Sequence, residues 1–61
     1  MNDRQWEQVK AQLPEGARIV RAYRAAENGE FRIIVKLPAE RQETRYVAHF
    51  NIDKVTIEHR P

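Results

Sequence analysis

The 61-residue sequence contains no cysteine and no serine. Without cysteine there can be no disulfide framework and no thiolate metal centre, and the two absences together remove the commonest thiol and hydroxyl nucleophiles. No apolar run exceeds three residues, far below the roughly 20 needed to cross a bilayer, and no secretory signal follows Met1. We therefore expect a cytoplasmic protein that does not enter a membrane.

Large apolar side chains are also scarce. Hydrophobic residues make up 41% of the chain, but seven of them are alanine. Two independent cores would each need roughly 40 residues, so residues 1–61 are predicted to form a single small domain. A domain of this size is only marginally stable alone, which makes a homodimer or another protein partner an expected feature.

The first segment has the pattern of one short amphipathic helix. Asn2 or Asp3 can cap its start, and Trp6, Val9 and Leu13 recur at the spacing of a single helical face. Pro14 cannot continue the helix. So short a helix is unstable in water by itself, and its apolar face must therefore pack against the rest of the chain.

Four strand-like runs follow, joined by short polar connections, at residues 17–26, 30–37, 44–50 and 54–59. The second run alternates most regularly between apolar and polar side chains. We predict an α+β fold in which the N-terminal helix packs on a three- to four-stranded antiparallel meander, in the order αββββ. The predicted core consists of Trp6, Val9, Leu13, Ile19, Phe31, Ile33, Val35, Tyr46, Phe50, Val55 and Ile57.

The last two strands are predicted to form a tight hairpin. A two-residue turn at Ile52 and Asp53 places Phe50 opposite Val55, and it also pairs Ala48 with Ile57 and Tyr46 with His59. Every core candidate of these two strands then lies on one side of the sheet.

The Asn28-Gly29 pair predicts a second hairpin, but in two alternative registers. A two-residue loop pairs Tyr23 with Ile34 and turns Ile19, Arg21 and Tyr23 outward. A three-residue loop pairs Tyr23 with Ile33 and turns Ile19 inward. Burial of Ile19 and Tyr23 is worth about 1 to 2 kcal/mol more than burial of Val20 and Ala22, which favours the three-residue loop.

In that register the sheet face away from the helix is basic. Although the net charge is only +2, acidic residues mostly fall in turns and loops, which leaves arginines around two adjacent branched aliphatic side chains. Ile34 and Val47 are expected to form an uncovered apolar anchor with a cationic rim, typical of a protein-interaction or self-associating surface. The predicted binding residues are Arg18, Arg24, Arg32, Ile34, Lys36, Arg45, Val47 and His49.

Two other interpretations of this face remain open. The same arginines suit sequence-tolerant nucleic-acid binding through phosphates, although the aromatic residues are expected on the core side. The charges are equally typical of a solvated surface that resists aggregation. We expect no enzyme activity, no cofactor and no small-molecule substrate. We also expect no metal site, since alternation places His49 and His59 on opposite faces of the sheet.

Overall fold

The computed structural model describes all 61 residues and contains one helix and one four-stranded sheet. The strands are antiparallel neighbours in chain order, which confirms the predicted αββββ fold of the α+β class. The helix is too short and too polar to span a membrane. The elements are α1 (Asp3–Gln12), β1 (Arg18–Arg24), β2 (Phe31–Lys36), β3 (Thr44–Phe50) and β4 (Val55–Arg60).

Helix α1 begins at a capping box. The Asn2 side chain accepts a hydrogen bond from the Gln5 main-chain N–H at 2.8 Å, and the Gln5 side chain accepts one from the Asn2 N–H at 3.1 Å. Leu13 ends the helix in an extended conformation directly before Pro14. Both ends therefore lie where the sequence predicts them.

The helix is joined to the outer edge of β4 by two glutamine side chains. Gln8 Oε1 accepts a hydrogen bond from the Val55 N–H at 2.7 Å, and Gln12 Nε2 donates one to the Val55 carbonyl at 2.6 Å. Gln12 Oε1 also accepts from the Ile57 N–H at 3.1 Å. Main-chain groups that an edge strand would leave unpaired are thus satisfied within the chain.

The core lies between α1 and the sheet. Its fully enclosed residues are Val9, Ile33, Val35, Ala48 and Val55. Around them pack nine partly buried residues: Trp6, Leu13, Ala17, Ile19, Ala22, Phe31, Leu37, Tyr46 and Ile57. Phe50 is less buried than predicted, at 41% exposed. It is the last residue of β3, where its ring contacts Phe31 edge-on at 5.8 Å but lies at the uncovered end of the sheet.

The β3–β4 hairpin has the predicted register. Phe50 pairs with Val55, and Tyr46 pairs with His59. The Asn51 N–H donates to the Lys54 carbonyl at 2.8 Å and closes the turn, which leaves the Ile52 side chain fully exposed.

The β1–β2 hairpin differs from both predicted registers, because Tyr23 pairs with Arg32. Four residues, 26–29, connect the two strands. They lie between Ala25 and Glu30, and the Ala25 N–H donates a hydrogen bond to the Glu30 carbonyl at 2.7 Å. The Gly29 N–H also donates to the Ala25 carbonyl at 2.8 Å. Gly29 has a φ of 73°, a conformation that disfavours residues with a Cβ atom.

The four-residue connection sets the pairing of Tyr23 with Arg32, and an irregularity at Val20 then shifts the first part of β1 by one further residue. Ile19 pairs with Val35 on the helix side, whereas Arg21 pairs with Ile34 on the opposite side, so the strand shifts by one residue between them. This β-bulge buries Ile19 without also turning Arg21 inward. The predicted inward positions of Arg21 and Tyr23 are therefore wrong.

Candidate functional site: the open face of the sheet

The side of the sheet away from α1 has no second layer, and we call it the open face. Cross-strand pairing assigns its residues, because directly paired residues share a face. They are Arg18, Arg21, Tyr23, Arg32, Ile34, Lys36, Arg45, Val47, His49, Thr56, Glu58 and Arg60. Seven of the eight residues predicted from sequence as a binding site lie here.

Arg24 is the exception. It pairs with Phe31 on the helix side, and its guanidinium carbon lies 5.6 Å from the centre of that ring. Its Nη1 donates to the Gly29 carbonyl at 2.7 Å, so it is held at the hairpin rather than on the open face. The four-residue connection causes this difference, since it reverses the side on which each residue of this end of β1 lies.

Ile34 and Val47 lie on the open face but do not form an exposed apolar anchor. Only 7% of Ile34 and 1% of Val47 is accessible to solvent. Arg21 and Arg45 flank Ile34 on the neighbouring strands. Long charged side chains can cover apolar surface with their aliphatic stems and keep their ends in water. The prediction of an uncovered apolar centre is therefore wrong, and the surface above it is charged.

A network of ion pairs covers Val47. Arg60 on β4 reaches across β3 to Glu30 at 3.4 Å, and Arg32 contacts Glu30 at 3.2 Å and Glu27 at 2.9 Å. On the neighbouring strand β4, the Glu58 carboxylate lies 3.0 Å from the His49 ring and 3.4 Å from the Arg60 guanidinium group. Each carboxylate of this network contacts at least one basic side chain. We call this half of the open face the ion-pair network.

The network perturbs the ionisation of three of its members. The hydrogen bond from Arg32 is the main cause that lowers the pKa of Glu30, and the contact with His49 is the main cause that lowers the pKa of Glu58. The side chain of Tyr23, followed by Glu30, raises the pKa of Arg32. All three shifts favour the charged forms.

The lowered pKa values predict acid sensitivity. A carboxylate whose pKa is lower in the folded state contributes stability that is present above its unfolded pKa and is lost as the pH falls through the folded value. We expect the melting temperature to fall as the pH drops below about 4.5, the ordinary glutamate value. Thermal unfolding at stepped pH checks this.

Glu58→Gln should reduce this pH dependence, and Glu15→Gln, in the exposed turn after α1, should leave it unchanged. Equal pH profiles for the Glu58→Gln and wild-type proteins would contradict the assignment.

The other half of the open face carries cations without acidic partners. No carboxylate oxygen of a side chain lies within 4.0 Å of their charged nitrogen atoms. Lys36 Nζ contacts the Leu37 carbonyl at 3.2 Å, and Arg45 Nη2 contacts the Pro61 main-chain oxygen at 3.5 Å. We call these four residues the cationic cluster: Arg18, Arg21, Lys36 and Arg45.

Two pairs of cations face each other directly across neighbouring strands. Arg18 pairs with Lys36 between β1 and β2, and Arg45 pairs with Arg60 between β3 and β4. Like charges placed directly opposite each other destabilise a sheet. Glu30 and Glu58 already offset the charge of Arg60, so Arg18–Lys36 is the pair at which a bound anion would reverse that cost. A surface that is merely solvated gains nothing from such an arrangement.

Each of these pairs also borders an open depression. The one beside Arg18 and Lys36 has a volume of about 360 Å³ and is completed by Gly16, Leu37 and Pro38. Gly16 has a φ of 80°, and a Cβ atom there would lie 2.7 Å from Pro38 Cγ, so glycine permits this close approach. The depression beside Arg45 and Arg60 measures about 490 Å³. Glu40 and Glu43 also line it, beyond ion-pair distance.

Sequence reasoning missed three residues of this face. The favoured three-residue register turns Arg21 and Tyr23 towards the helix, whereas the two-residue alternative turns them outward, and nothing in the sequence marks the bulge at Val20 that keeps Ile19 inward at the same time. Arg60 lies one residue beyond the predicted fourth run. The predicted β3–β4 register, continued by that residue, already places Arg60 opposite Arg45.

The two histidines occupy opposite faces, as alternation predicts. His59 lies on the helix side with its ring 5.6 Å from that of Tyr46, whereas His49 contacts Glu58 on the open face. No group of three or more histidine, aspartate or glutamate side chains is arranged to hold a metal ion.

No protein-family model matches this chain, and no similar curated protein or solved structure was found.

Proposed function

We propose that this protein is a non-catalytic binding module whose open face takes the phosphate backbone of a nucleic acid with little dependence on base sequence. One observation carries the proposal. The four cations of the cationic cluster lie without a side-chain carboxylate partner, and the sheet places two of them, Arg18 and Lys36, directly opposite each other. Phosphate oxygens between such cations would replace repulsion with charge-assisted hydrogen bonds.

The character of the surface favours a nucleic acid over a protein partner. Protein interfaces rely on a desolvated apolar centre with large anchor residues, but Ile34 and Val47 are buried beneath charged side chains. Interfaces with nucleic acids are more polar and more positively charged. A sheet face with many charged side chains and no exposed apolar anchor fits the second description better.

The proposal is tested by titrating the protein with a short DNA oligonucleotide at several salt concentrations. We expect the affinity to fall as salt is added. If four phosphates are contacted, a plot of the logarithm of the affinity against the logarithm of the salt concentration should have a slope of about −3 to −4. Arg18→Glu should weaken binding by about tenfold at low salt and reduce the slope. It should not lower the melting temperature, because a glutamate opposite Lys36 forms an attractive pair.

A control of equal charge is available on the helix. Arg4 is exposed on α1, which lies on the far side of the sheet, and Arg4→Glu changes the net charge by the same amount as Arg18→Glu. Equal loss of affinity in the two variants would mean that only net charge matters. No binding at low salt would contradict the proposal.

The open edge of β1 favours self-association as a second candidate function. The outer edge of β4 is hydrogen-bonded by Gln8 and Gln12, whereas no hydrogen bond from another part of the chain covers the outer edge of β1. Exposed edges of this kind pair with further strands. Light scattering measures the molar mass, and a concentration-dependent dimer that Val20→Pro abolishes would support this function. A monomer at all concentrations would exclude it.

A further inference from the structure

Tyr23 is the one phenylalanine, tyrosine or tryptophan side chain on the open face. The other four aromatic residues lie in α1 or on the helix side of the sheet: Trp6, Phe31, Tyr46 and Phe50. Tyr23 pairs with Arg32 across β1 and β2 and is partly buried. Arg21 lies two residues earlier on the same face of β1, and its guanidinium carbon is 5.4 Å from the centre of the tyrosine ring.

This contact places a guanidinium group and an aromatic ring together at the border of the cationic cluster. Arg21 is exposed and Tyr23 is half-buried, and the guanidinium group of Arg21 lies over the tyrosine ring. A cation placed over an aromatic ring is attracted by its electrons. Nucleic-acid bases stack both on aromatic rings and on arginine planes, and the exposed Arg21 side chain and the Tyr23 ring bring one of each together.

From this geometry we infer that Arg21 and Tyr23 together form a stacking platform for an unpaired base, so that the open face binds single-stranded nucleic acid. The inference rests on the proposed function and specifies its ligand. The remaining cations of the cluster contact phosphates on either side of the stacked base. In a duplex the bases are stacked on each other and paired, so no base face is free to reach the platform.

The test separates stacking from charge by using two strands that differ only in their bases. One probe is a short oligothymidylate, and the other is an abasic strand of the same length with the same phosphates. Wild-type protein should bind the oligothymidylate about 5-fold to 150-fold more tightly, which is the range expected for one stacked base.

Matched variants then identify the platform. Arg21→Lys keeps the charge but removes the guanidinium plane, so it should lose most of that preference and keep its affinity for the abasic strand and for duplex DNA. Arg18→Lys makes the same change within the cluster without a ring nearby and should keep the preference. Tyr23→Phe retains the ring and should also keep it, whereas Tyr23→Leu should lose it.

Circular dichroism melting of each variant confirms that it is folded. Equal affinity of the wild-type protein for both strands would overturn the inference, as would equal effects of Arg21→Lys and Arg18→Lys. In both cases, salt-dependent binding of the strands would still support the proposed function. Absence of binding to every probe at low salt would overturn the proposed function as well.

Discussion

Replacing Ile34 with aspartate is expected to unfold this protein at neutral pH. Ile34 is only 7% exposed although it faces away from the helix, since it lies between Arg21 and Arg45 on the neighbouring strands. A carboxylate there would lose the apolar contacts and would be placed beneath the stems that now cover the side chain. Such a change costs about 3 to 5 kcal/mol, which is comparable with the entire stability expected of a domain this small.

Thermal and urea unfolding followed by circular dichroism measure this effect. Val20→Asp is the matched control, because Val20 is also a branched residue in a strand but is 44% exposed at the bulge. We expect it to remain folded. An Ile34→Asp protein that melts like the wild type would show that the stems do not seal this position, and the exposed apolar anchor expected from the sequence would then exist.

Gln12→Glu is expected to give the second largest loss of stability. Gln12 Nε2 donates hydrogen bonds to the Val55 carbonyl at 2.6 Å and to the Gln8 carbonyl at 3.0 Å. Glutamate has no hydrogen to donate, so its carboxylate would face the Val55 carbonyl oxygen. Leaving such a group unpaired costs about 1 to 3 kcal/mol, measured as the free energy of unfolding in urea.

Two further variants separate the hydrogen bond from the added charge. Gln8 only accepts a hydrogen bond, from the Val55 N–H, so Gln8→Glu preserves that contact and should be tolerated. Ala11→Glu adds the same charge to the last turn of α1 at an exposed position, which isolates its unfavourable interaction with the helix dipole. If Ala11→Glu destabilises the protein as much as Gln12→Glu, the contact between α1 and β4 contributes little.

These glutamines show where sequence reasoning stops within a correctly predicted element. The apolar spacing of Trp6, Val9 and Leu13 correctly predicts the buried side of α1. It gives no indication that Gln8 and Gln12 bind the edge of β4, because hydrogen bonds between residues more than forty positions apart leave no local pattern. Polar residues beside an apolar stripe have the same appearance whether they face water or a strand edge.

The two hairpins differ for a similar reason. In the β3–β4 hairpin the two-residue turn and the burial of Val55 require the same register, so the sequence predicts it correctly. In β1–β2 two requirements conflict, because burying Ile19 in a regular strand would also bury Arg21. The strand resolves the conflict with a bulge at Val20, and the choice of that position depends on packing against β2.

Local sequence patterns are enough to predict the order of one helix and four antiparallel strands, the ends of the helix, and most residues of the core. These features depend on local periodicity and on proline and turn residues, which act over a few positions. Which side chains of the open face are exposed, and which cations face one another there, depends instead on contacts between distant segments. The identity of the residues opposite one another, and the covering of Ile34 and Val47 by charged side chains, depend on strand register and side-chain packing between distant segments.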